Sequence, residues 1–92
     1  MKIRFIINPV SGTGKQKGIE KLIQNNLHIE YDIVYTEKNG DASILSQEAI
    51  DKKIDIVVAV GGDGTVNECA KTLIGSNLSL GVIPCGSGNG FA

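Results

Sequence analysis

The residues with most chemical potential lie together in Val60-Gly61-Gly62-Asp63-Gly64-Thr65-Val66-Asn67-Glu68. Three glycines and an aspartate follow a β-branched run, Ile56-Val57-Val58-Ala59-Val60. A helix-period pattern starts at once, with Val66, Cys69, Ala70, Leu73 and Ile74 on one stripe. The glycines therefore fall where a buried strand ends and a helix begins. The N–H groups of a helix's first turn have no internal partner, and the helix dipole is positive there. Glycine lets the chain turn sharply and lets a ligand come close. The chemistry this arrangement suits is anion binding, phosphate above all. Thr65 and Glu68 also have the spacing of a capping box. A cap alone needs neither three glycines nor a buried aspartate, so we expect a phosphate cradle in which Thr65 and Glu68 cap the helix as well.

Asp63 is the acidic group inside the glycine turn. It could hold Mg²⁺, directly or through water, because Mg²⁺ is typically bound by one or two carboxylates plus phosphates and water. It could instead accept hydrogen bonds from the turn amides. A second turn, Asn8-Pro9-Val10-Ser11-Gly12-Thr13-Gly14, is a weaker phosphate signal. It has neither Walker spacing nor G-x-G-x-x-G, since its glycines fall at 12, 14 and 18. Lys15 could meet a phosphate but reads better as a solvated helix residue. His28, in a helix–strand connection, reads as structural or solvated, and no serine has a plausible histidine partner. Phosphoryl transfer asks mainly for positioning and charge stabilisation, plus one group to accept the acceptor's proton. The chain offers the cradle and no evident base.

The elements that must position these groups follow from periodicity. Residues 2–8, 29–36, 55–60 and 79–84 read as strands; residues 14–26, 41–53 and 65–74 read as helices. Thr13 with Gln16 fits a capping box for the first helix, whose inward face is Ile19, Leu22 and Ile23. Gly40-Asp41 opens the second, with Ala42, Leu45 and Ala49 inward, and Gly75 ends the third. The second strand alternates and should be less buried; the third is apolar on both faces, as a central parallel strand is. Strict alternation of strand and helix implies a three-layer, doubly wound α/β fold with a parallel sheet. Strand order 2-1-3-4 places the winding reversal between the first and third strands, where ligands bind at the carboxyl ends. Turns 8–14, 61–65 and 85–90 then share one edge.

Ninety-two residues make one domain at most. Hydrophobic residues are 41% and charged residues 21%, which makes the chain globular rather than disordered. A net charge of −1 without a basic run leaves nucleic-acid binding no electrostatic footprint. No apolar run approaches the ~20 residues of a membrane span, and the start lacks a signal-peptide cleavage site, so a cytoplasmic protein is expected. Cys69 and Cys85 have neither metal spacing nor a disulfide framework. Both read as reduced, with Cys69 in the core. A glycine-rich turn should lead into an element, and Gly86-Ser87-Gly88-Asn89-Gly90 is followed only by Phe91 and Ala92. The expectation is a piece of a longer protein.

Four motifs occur in order: Asn8-Pro9-Val10-Ser11-Gly12; Thr36 ahead of Gly40-Asp41-Ala42; Gly61-Gly62-Asp63-Gly64-Thr65-Val66-Asn67-Glu68; and Pro84-Cys85-Gly86-Ser87-Gly88-Asn89. Together they resemble the catalytic domain of the diacylglycerol kinase and sphingosine kinase family, bacterial lipid kinases included, over essentially the whole chain. The Gly61–Thr65 run is shared with NAD kinases and phosphofructokinases; the first and last motifs separate this chain from both. The resemblance implies the N-terminal, nucleotide-binding part of a phosphofructokinase/NAD kinase-like fold, and transfer of the ATP γ-phosphate to a lipid hydroxyl in phospholipid metabolism. By resemblance, Gly61, Gly62, Asp63, Gly64, Thr65, Asn67 and Glu68 would cradle the nucleotide phosphates. Asn8, Ser11, Gly12 and Thr36 would border the nucleotide, and Gly86 and Ser87 would close the pocket. Asp63 would act catalytically near Mg²⁺. The family also implies a second, mostly β domain with the lipid pocket and general base, and transient contact of the whole protein with the inner membrane face. Alone, residues 1–92 would be inactive and would self-associate through apolar surface. Two other readings remain: an NAD kinase-like or phosphofructokinase-like fragment with a soluble acceptor, and a non-catalytic nucleotide-binding module.

Overall fold

The structure is a computed structural model that describes residues 1–9 and 15–84, the side chains of 15–17 excepted. The remainder of the Asn8–Gly14 turn, the Thr13–Gln16 capping box, the Lys15 side chain and the turn at 85–90 lie outside the described residues. Strands and helices alternate throughout: β1 (Lys2–Ile7), α1 (Lys15–Asn26), β2 (Glu30–Tyr35), α2 (Asp41–Asp51), β3 (Ile56–Gly61), α3 (Asp63–Leu73) and β4 (Ser79–Pro84). The sheet is parallel in every pairing and its order is β2-β1-β3-β4, as the periodicity implies.

Burial follows from that order. Ile6, Val57 and Ala59 face α2 and α3, where Ala42, Ala49, Cys69 and Leu73 meet them. Ile3, Phe5, Ile7 and Val60 face the other way and pack with Ile23 of α1. Three layers result, and a strand buried on both faces needs apolar residues at successive positions rather than alternate ones. The flanking β2 and β4 hold only half-buried and exposed residues. The Phe5 and Tyr31 rings meet edge to face at 6.1 Å. Cys69 is core, as expected, and burial pushes its thiol pKa up. His28 is exposed.

Three details differ from the sequence reading. Leu22 and Ile74 are exposed, not inward: Ile74 lies at the C-cap, past the last helical turn, and Ile19 and Ile23 of α1, with Leu27 just past its end, carry that contact instead. The third helix starts at Asp63, two residues early, because the Gly62 carbonyl already accepts the Val66 N–H at 3.1 Å. Arg4 is buried to 1% exposure in the middle of β1, a charge within an apolar strand.

The buried Arg4 guanidinium has its donors matched. Nε and Nη2 fork onto Asp32 at 3.1 and 2.9 Å, Nη1 donates to Glu48 Oε1 at 2.7 Å, and Nη1 also reaches the Leu45 carbonyl at 3.2 Å. A buried charge without such partners would cost several kcal/mol. The triad thereby ties β1 to β2 and to α2. The Arg4 hydrogen bond, followed by the charge of Lys52, holds the Glu48 carboxyl below its usual range. A carboxyl depressed in the folded state stabilises above its unfolded pKa and loses that contribution as pH falls through the folded value. Arg4→Met should cost about 1.5–3 kcal/mol in chemical denaturation, the worth of hydrogen bonds to charged groups. The variant should also lose less stability than the wild type on acidification below the usual glutamate range.

Candidate functional site

Parallel pairing brings the carboxyl ends of the strands to one edge. Ile7 pairs with Tyr35 and with Val60, and Gly61 pairs with Pro84. The residues leaving those ends stay in register: the Asn8 N–H donates to the Val60 carbonyl at 2.9 Å, and the Thr36 N–H to the Ile7 carbonyl at 2.9 Å. Asn8, Thr36 and the start of α3 therefore become neighbours although Asn8 and Thr65 are 57 positions apart in the sequence.

Gly61 sets how close they come. A Cβ there would lie 3.1 Å from Thr65 Oγ1 and 3.2 Å from Asn8 Cβ, tighter than ordinary contact. Its absence lets Asn8 Nδ2 donate to Thr65 Oγ1 at 3.3 Å, with Thr65 buried. Gly62 and Gly64 differ. Neither has positive φ, and a Cβ on either would meet nothing within 4 Å among the described residues. Local strain and internal packing thus leave both free to carry a side chain, yet both line the cleft beside them.

That cleft, about 280 Å³, is walled by Gly62, Gly64, Thr65 and Glu68 on one side and by Thr36, Glu37, Lys38, Asn39 and Ala42 on the other, with Asn8 also lining it. Among the described residues no side chain caps α3 at Gly62, and the first-turn amides carry the positive end of the dipole. An anion is the ligand such a terminus favours.

The structure thus brings Asn8, Thr36, Gly62, Gly64, Thr65 and Glu68 to one cleft, with Gly61 beneath it. Ser11, Gly12, Gly86 and Ser87 lie outside the described residues. Asn67 is exposed and is not part of the cleft lining. Asp63 is exposed rather than buried, on the first turn of α3 and outside the lining. The capping box is corrected: Thr65 Oγ1 takes the Asn8 amide, while the Glu68 carboxylate accepts the Gly40 N–H at 3.1 and 3.2 Å. The helix begins too early for that box to form. Glu37, Lys38 and Asn39 were not anticipated as lining residues; their signal was position, directly after a strand's carboxyl end. Among the described residues no three His, Cys, Asp or Glu side chains cluster as a metal site, and no helix is long and apolar enough to cross a membrane.

Comparison with known proteins gives one answer. The chain is 35% identical over 96 residues to the diacylglycerol kinase of Bacillus subtilis (strain 168), covering 99% of this chain and 32% of that protein. It is 35% identical over 94 residues to the diacylglycerol kinase of Mycobacterium tuberculosis (strain H37Rv), covering 99% of this chain and 30% of that one. It thus spans about a third of the length of these relatives. A crystal structure of a diacylglycerol kinase from Bacillus anthracis (strain Sterne) superposes with a TM-score of 0.80 at 33% identity, over 98% of this chain and 35% of that one. A solution structure of a phosphate-loop protein shares the fold, with a TM-score of 0.66 at 23% identity. The family described as the diacylglycerol kinase catalytic domain matches residues 2–92. This chain belongs to the diacylglycerol kinase catalytic-domain family.

Proposed function

We propose that this chain is the ATP-binding part of a lipid kinase, which transfers the γ-phosphate of ATP to the hydroxyl of diacylglycerol or a related lipid alcohol. The observation that carries the reading is the pair Gly62 and Gly64. Helical glycine is costly relative to alanine, and nothing among the described residues requires it at 64. A phosphate drawn close to the uncapped amides of α3 would require it. The Asn8–Thr65 hydrogen bond and the Gly61 contact hold that terminus against β1.

In the transfer, the lipid oxygen forms a bond to the γ-phosphorus and the bond to the ADP oxygen breaks. The hydroxyl proton passes to a base on a second, mostly β domain that also carries the lipid pocket. Asp63, an exposed carboxylate on the turn, fits Mg²⁺ in the mode where phosphates and water complete the shell. Bound there, Mg²⁺ would neutralise charge on the phosphates. The whole protein would meet its lipid by transient contact with the inner membrane face. Residues 1–92 alone would bind nucleotide without turnover and would self-associate through exposed Leu22, Ile44, Ile74 and Val82.

Calorimetric titration of the intact protein with ATP tests the reading, set against thermal unfolding. Gly64→Ala should unfold no earlier than wild type, or up to about 1 kcal/mol later, while binding ATP at least about tenfold more weakly, a loss of about 1.4 kcal/mol. Gly62→Val should likewise lose ATP. Gly61→Ala should instead destabilise by about 1–3 kcal/mol, because its Cβ would crowd Thr65 and Asn8. Unchanged ATP affinity in both Gly64→Ala and Gly62→Val would overturn the phosphate cradle. Asp63→Asn should lower turnover on the order of 100-fold or more with the fold intact; full activity in that variant would remove the role given to Asp63.

A further inference from the structure

The Glu68 carboxylate is committed within the fold. Both oxygens accept from the Gly40 N–H, at 3.1 and 3.2 Å, across 28 positions of sequence. Gly40 is the N-cap of α2 at φ +94°, a left-handed conformation that favours glycine, and it has no side chain with which to cap. Ser43 Oγ on α2 donates to the Glu68 carbonyl at 3.4 Å, a second tie between the two helices. On the other side, Asp41 Oδ2 accepts the Glu37 N–H at 2.7 Å and the Lys38 N–H at 3.1 Å. Those bonds, the Glu37 amide's first, hold the Asp41 carboxyl below its usual range.

The segment between β2 and α2 therefore hangs from two carboxylates. Asp41 shapes it internally, and Glu68 fixes it to α3. Thr36, Glu37, Lys38 and Asn39 of this segment form one wall of the cleft, opposite Gly62 and Gly64. Glu68 thus ties the two walls of the cleft together at Gly40, at the end of α2 that carries the 36–40 segment. Lys38 is the cation among the described lining residues, and the segment carries it to that wall.

We propose that Glu68 is a positioning residue: by holding the Gly40 amide it sets the 36–40 segment as a preformed wall of the nucleotide cleft, and it does not itself touch phosphate or metal. This deepens the nucleotide reading and rests on it. A charged acceptor withdrawn from a part-buried amide leaves that amide unpaired. The wall then relaxes toward water, and the ligand must reorder it on binding, which weakens affinity without altering the reacting geometry once bound.

The test uses the intact protein with ATP and dispersed diacylglycerol, together with hydrogen exchange at the Gly40 amide without nucleotide. Glu68→Ala should lose the protection of Gly40 and raise KM for ATP about tenfold, with kcat within about twofold. Glu68→Gln, whose amide oxygen can accept the same bond, should recover most of both losses. Equal damage by Ala and Gln, with kcat falling, would make the carboxylate a ligand and overturn the proposal. Lost Gly40 protection with an unchanged KM would overturn it too, leaving a purely structural tie. If wild-type protein fails to bind ATP, the nucleotide reading falls, while Gly40 exchange in the two variants still decides whether Glu68 holds the wall.

Discussion

Asn8 and Thr65 can approach only because Gly61 presents no Cβ between them. That contact joins the end of β1 to the first turn of α3, and the site is built around it. With it, the helix terminus is held at the sheet edge beside Asn8 and Thr36. With a methyl group there, Thr65 or Asn8 would have to give by a few tenths of an ångström, loosening the contact that seats the start of α3 beside β1. One missing atom in the core thus governs the geometry of a surface cleft.

The sequence carries the fold well where a single period dominates. β1 and β3 are apolar at successive positions, and a strand buried on both faces needs that pattern; the order of the sheet follows from connection rules and not from contacts. The start of α3 was less legible. Thr65 and Glu68 have the spacing of a cap, but whether they cap depends on where the first carbonyl accepts, and Gly62 accepts two residues sooner. Spacing along the chain cannot report that. Nor can it report that Glu68 finds Gly40, since the partner belongs to another helix.

Arg4 shows the same limit inside the core. Within Ile3-Arg4-Phe5 it looks like the polar side of an alternating strand. Its partners, Asp32 and Glu48, stand 28 and 44 positions away, and neither carries a local sign of its role. Residues that line the cleft between Thr36 and Gly40 were obscured for a different reason: Glu37, Lys38 and Asn39 have the composition of any solvated loop. A polar loop becomes informative only when the topology puts it at the carboxyl edge of a parallel sheet.

The pairing of β1 has a consequence for the order of events in synthesis. Ile3 is bonded in register on one side to Tyr31 and on the other to Ile56. Every pairing among the described strands is parallel, so each ladder closes only after a helix and its loops have been made. β1 leaves the ribosome ahead of both neighbours, with one side unclaimed until β3 appears. Closing so long a loop is entropically slow. A nascent chain stalled between β2 and β3 would present that open side to whatever extended segment is near, which makes this interval the one in which a holding chaperone has most to protect.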